Sequence, residues 1–101
     1  SADVLAMVIG VLQIDLRLHA PQSLKQKRGM IRKILTRCRN RFPASCAEIG
    51  HQDLWQRSLL GFAVINTSEQ IVAPILARIE DDILDNSEVD LINTDTEFIR
   101  Y

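Results

Sequence analysis

Between Val8 and Leu18 the chain alternates: Leu12, Ile14, Leu16 and Leu18 fall on one side, Gln13, Asp15 and Arg17 on the other. A period of two over that length predicts a strand with one buried face. Ile9 and Val11 make the second face apolar at its start, so that end is expected to be covered. His19-Ala20-Pro21-Gln22 interrupts the pattern, and the proline limits both strand pairing and helix entry. From Leu24 the period changes, with Ile31, Ile34, Leu35, Cys38 and Phe42 recurring at helical spacing. Ser23 stands where an N-cap belongs, and the helix is expected to reach about Asn40, with Gly29 as a weak interior position.

Pro43 stops the helix and opens a strand, PASCAEIG, whose uneven parity predicts a bulge near Ala47 or Glu48. Gly50-His51-Gln52-Asp53 is turn chemistry. Trp55 to Ile65 reads as a strand apolar on both sides, with Leu60, Phe62 and Val64 towards the helices, which suits the middle of a sheet. Asn66-Thr67-Ser68 offers a second N-cap before Ile71, Val72, Ile75, Leu76, Ile79, Ile83 and Leu84. Pro74 predicts a kink unless the helix proper begins there. After Asn86-Ser87, the residues Val89, Leu91, Phe98 and Ile99 predict a last strand, interrupted by the polar run Asn93 to Glu97. The order is strand, helix, strand, strand, helix, strand. Two one-sided helices and an antiparallel sheet, joined by right-handed crossovers, give an α+β fold of the ferredoxin-like split βαββαβ kind, with both helices on one face.

At 101 residues the chain is the size of one domain with a cohesive core. The expected division is a single ferredoxin-like domain from residue 7 to 101, preceded by residues 1–6 as a frayed leader or cloning remnant. No apolar run is long enough to cross a bilayer and no basic stretch precedes the first apolar residues, so a cytoplasmic location without membrane partners is expected. Cys38 and Cys46 lack metal-knuckle or Cys-x-x-Cys spacing, and Cys38 on the apolar stripe is expected to act as a small buried hydrophobe.

Net charge is −1, but its distribution is uneven. Every formal charge from Arg17 to Arg41 is positive, whereas Glu69 to Glu97 carries acidic residues and only Arg78 in opposition. The first helix is therefore a basic amphipathic one. Arg17, Lys25, Lys27, Arg28, Arg32, Lys33, Arg37 and Arg39 are candidates for neutralising the phosphates of structured RNA, a mode of binding that weakens with salt. The competing reading is a solvated face paired with Glu80, Asp81 or Asp85 of the second helix. Reading of single-stranded RNA by the sheet face is disfavoured. Gly61-Phe62-Ala63 only grazes the required aromatic pattern, strand one has no aromatic, and Phe62 is expected in the core.

A second cluster lies in the turn, where Glu48, His51, Asp53, Gln56 and Arg57 invite an acid-base or small-ligand interpretation. A structural turn with Arg57 pairing to Glu48 across a hairpin would look the same. No glycine-rich anion loop follows strand one, no nucleophile elbow is present, and two scattered histidines do not define a metal site. No cofactor and no enzymatic activity are expected. The alternative to RNA binding is a homodimer, or larger homo-oligomer, formed through the open sheet face.

The elements Ser23-Leu24-Lys25-Gln26-Lys27-Arg28, Arg41-Phe42-Pro43-Ala44-Ser45-Cys46-Ala47-Glu48-Ile49 and Asp53-Leu54-Trp55-Gln56-Arg57, followed by Leu60-Gly61, occur in an order that resembles the YlxP-like family of small bacterial proteins, a domain of unknown function. The resemblance covers about Met7 to Ile79, and Cys46 and Pro74 depart from it. It implies a bacterial, cytoplasmic, ferredoxin-like domain, and a place beside the ribosome because members are often encoded among genes for translation factors. It assigns no catalytic residue.

Overall fold

The computed structural model describes residues 6–101. The expected leader therefore lies almost wholly outside the described residues. Six elements follow in order: β1 (Val8–Leu18), α1 (Leu24–Arg41), β2 (Ser45–Gly50), β3 (Arg57–Asn66), α2 (Glu69–Leu84) and β4 (Val89–Arg100). The strands make one antiparallel sheet in the order β2-β3-β1-β4. This is the ferredoxin-like α+β arrangement predicted from the hydrophobic periods. Among the described residues, no helix is long and apolar enough to cross a membrane.

Period-two patterning decides which face of the sheet is covered. Leu12, Ile14 and Leu16 of β1 lie level with Phe62, Leu60 and Ser58 of β3 and are buried beneath the helices, as are Leu18 and Val64. The helices return Ile31, Ile34, Leu35 and Cys38 from α1, and Val72, Ile75, Leu76, Ile79 and Ile83 from α2. Burial of each such side chain stabilises the fold by about 1.5–3 kcal/mol. Gly10 sets the distance between layers, since a Cβ there would overlap Val72 Cγ1 and stand 2.8 Å from Leu76 Cδ1.

The irregularity in β2 falls beside Glu48, as predicted: between Glu48 and Gly50, Ile49 has no partner in the β3 register. Three local expectations change. Ser68 occupies the N-cap position of α2, yet its side chain makes no capping hydrogen bond. The α2 helix starts at Glu69 and runs through Pro74, so the proline sits inside the helix and not at its start. The polar run Asn93 to Glu97 is not an interruption: β4 is continuous, with one irregularity opposite Asp15 and Leu16. An edge strand has one flank free of pairing, and acidic residues there discourage a second sheet from adding on.

Candidate functional site

Ser23 begins α1 as expected, its hydroxyl accepting the Gln26 amide at 3.0 Å. Successive residues then turn by about 100° each, which sorts the cations onto different sides of the helix. Lys25, Arg28, Arg32 and Arg39 form one outward ridge, and Lys33, Arg37 and Arg41 a second. Between them lie the uncharged positions Gly29, Thr36 and Asn40. An open groove of about 1050 Å³ covers this strip and ends against His19 and Glu88. A Cβ at Gly29 would meet nothing within 4 Å.

The acidic second helix neutralises this face only in part. Asp82 receives Arg37 through both nitrogen-to-oxygen contacts, Nε to Oδ2 at 3.0 Å and Nη2 to Oδ1 at 3.2 Å, with Arg41 at 3.8 Å. Hydrogen bonding to Asp82 and its charge raise the Arg37 pKa above the ordinary arginine value. Arg39 donates to the Cys46 carbonyl at 2.8 Å. Among the described residues, no carboxylate lies within ion-pair reach of the exposed Lys25, Arg28, Arg32 or Lys33. Arg17 is also exposed, but it lies on the sheet, between Arg57 and Asp90 in the strand register and away from the helix cations in sequence.

Lys27 does not share the outward face expected of it. It is 0% exposed, and its ammonium donates to Glu48 Oε2 at 2.6 Å and to the carbonyls of His51 and Gln52 at 2.9 and 3.2 Å. The buried Ser58 hydroxyl donates to the same Glu48 oxygen at 2.6 Å. Three acceptors thus satisfy the three donors of one ammonium, as burial of a charge demands. The sequence did carry a signal for this inward turn, because Lys27 is four residues before Ile31 and eight before Leu35, in line with the buried stripe.

The turn candidates separate in a similar way. Glu48 faces the helices opposite Leu60, whereas Arg57 lies on the other side of the sheet, so the expected Glu48–Arg57 pair does not form. Arg57 instead makes a forked contact with Asp15, at 2.9 Å for the shorter arm. His51, with φ 57°, and Asp53 and Gln56 are exposed. The Gln56 carbonyl accepts the Leu18 amide at 2.9 Å, and the Leu54 amide donates to the His51 carbonyl at 3.1 Å. The loop is therefore fastened along its length. Among the described residues, no three His, Cys, Asp or Glu side chains gather as a metal site would need.

A protein of Bacillus subtilis (strain 168), described as uncharacterized protein YlxP, is 38% identical over 72 residues, which is 71% of this chain and 78% of the relative. Among solved structures, the de novo designed protein Foldit4 covers 92% of this chain and 96% of its own at a TM-score of 0.43 and 12% identity. A family model described as a protein of unknown function, DUF503, matches residues 9–96. With that match spanning nearly all of the two helices and four strands, the chain belongs to the DUF503 family.

Proposed function

We propose that the protein is an accessory RNA-binding protein that lays the outward face of α1 against the phosphates of structured RNA, with the ribosome as the expected setting. The observation that carries this reading is the unmatched charge of Lys25, Arg28, Arg32 and Lys33, four exposed cations without a carboxylate partner among the described residues. Cations held on a rigid helix can neutralise successive phosphates without reading bases, and the release of counterions drives the association. Lys27 has no part in this contact, because its ammonium is already saturated.

Replacing Lys25, Arg28 and Arg32 together by alanine tests the reading against bacterial ribosomal RNA. The wild-type protein is expected to bind with an affinity that falls steeply as salt rises. The triple variant should lose most of that affinity, and the slope of log K against log salt should shrink by about two to three. Binding that ignores salt, or an absence of binding at low salt, would discard the proposal.

A second reading rests on the sheet face that no helix covers. Ile65, Ile49 and Ile99 are about half exposed there, and Ile9 and Val11 lie level with Ile65 and Ala63 in the register. Such a surface suits a second copy of the chain. Sedimentation that gives a single-chain mass at tens of micromolar, a rough working range for a non-obligate contact, counts against it.

A further inference from the structure

The loop between β2 and β3 presents Leu54 and Trp55 to solvent, the tryptophan 51% exposed, and Trp55 is the chain's one tryptophan. Large aromatic groups carry much of a chain's capacity for burial, so a half-exposed one on a fastened loop is an unspent contact surface. The fastening is unusual. Lys27 reaches from α1 to hold the carbonyls of His51 and Gln52, Glu48 and Ser58 complete the buried network, and Leu18 holds the far end through the Gln56 carbonyl. Because Lys27 belongs to the first turn of α1, the same bonds tie this loop to the end of the helix from which Lys25 and Arg28 project.

Topology brings the parts together at one end of the molecule. The end of β1, the start of α1, the end of β2 and the start of β3 all meet there, as the antiparallel register requires. Within residues 51–56 the only acidic side chain is Asp53, against Lys25 and Arg28 of the adjoining helix turn, which have no carboxylate partner among the described residues. An exposed indole on a loop tied to the helix turn where a cationic track begins is the combination that single-stranded nucleic acid uses: phosphates follow the charge, and an unstacked base covers the aromatic face. A loop already fixed in place loses little freedom on binding, which favours the contact further.

We infer that Trp55 is a stacking platform for one base of a single-stranded RNA segment whose backbone continues over Lys25, Arg28 and Arg32. The inference rests on the phosphate-binding reading of α1 and adds to it the kind of strand that is bound and a residue that contacts a base. It differs from recognition by the sheet face, which would use aromatics on β1 and β3; Phe62 is buried in the core.

The test titrates the whole protein with a single-stranded oligoribonucleotide of about ten residues and with a blunt duplex of equal length, following Trp55 emission and, separately, the anisotropy of labelled RNA. Single strands are expected to quench Trp55 and duplex to leave its emission nearly unchanged. Trp55→Leu should weaken single-strand binding about ten- to hundredfold, while Trp55→Phe keeps most of it, since stacking contributes about 1–3 kcal/mol per base. The salt slope should be the same in Trp55→Leu as in wild type, because no phosphate contact is removed. Emission and affinity that ignore Trp55, with binding still lost in the Lys25, Arg28, Arg32 triple variant, would overturn the stacking role and leave the phosphate reading intact. Quenching by duplex equal to that by single strands would overturn the choice of strand. Failure of the wild-type protein to bind either RNA at low salt would overturn both readings.

Discussion

Lys27 places its side-chain nitrogen where water does not reach, 2.6 Å from a Glu48 oxygen, and the fold depends on the two staying opposite each other. Removing one partner of a buried pair leaves an uncompensated charge, which costs about 3–5 kcal/mol. Lys27→Met should therefore lower the free energy of urea unfolding by roughly that amount. Adding Glu48→Gln to it should restore part of the loss, a non-additivity that a double-mutant cycle measures. Gly29 predicts the opposite sign. Its Cβ position is open, so Gly29→Ala should raise stability by about 0.5–1 kcal/mol in the same assay. Cys38 gives a dependence on pH. Burial, with Cys46 alongside, pushes its thiol from the ordinary 9.0 up to about 12, so the folded chain holds a proton that the unfolded chain releases. The stabilisation is complete below about pH 9 and is lost as pH rises towards about 12. Across that window, denaturant melts should show wild type losing more stability than Cys38→Ala.

At the scale of elements, the approach of α2 to β1 is set by a missing side chain. Gly10→Ala would drive a methyl into Val72 and Leu76, neither of which sits on a free surface, and is expected to destabilise by about 1–3 kcal/mol with a lower melting temperature. Pro74 acts on the same helix by removing a donor from its interior while leaving its span uninterrupted. Here the apolar face of α2 outweighs the local preference, as tertiary packing commonly does. The polar run in β4 makes the same point, since five register partners along β1, from Val11 to Asp15, carry Glu97 to Asn93, residues that would read as a loop in isolation. The β2–β3 loop looked like a candidate for acid-base chemistry because titratable residues crowd it in sequence. The strand pleat separates them, sending Glu48 inward to Lys27 and leaving Arg57 to Asp15 on the opposite face.

For the molecule as a whole, a net charge of −1 conceals a division between a basic helix and acidic later segments. Among the described residues, ion pairing between the two is confined to Asp82 with Arg37 and Arg41, so the N-terminal half of α1 keeps its field. That arrangement predicts attraction to polyanions at low ionic strength in spite of the overall sign, and its decline as the screening length shortens from about 10 Å at 0.1 M salt to about 3 Å at 1 M. Alternation in β1 and β3 and the helical stripes of α1 and α2 determined the order of elements, the covered face of the sheet and the core, because burial of apolar surface depends on little more than period and length. Which cations are free was decided only by the tertiary structure. Lys25, Lys27 and Arg37 are alike as residues, but whether a carboxylate from a distant segment comes within 3 or 4 Å depends on how helices and strands are stacked, and the same stacking fixed where Trp55 stands.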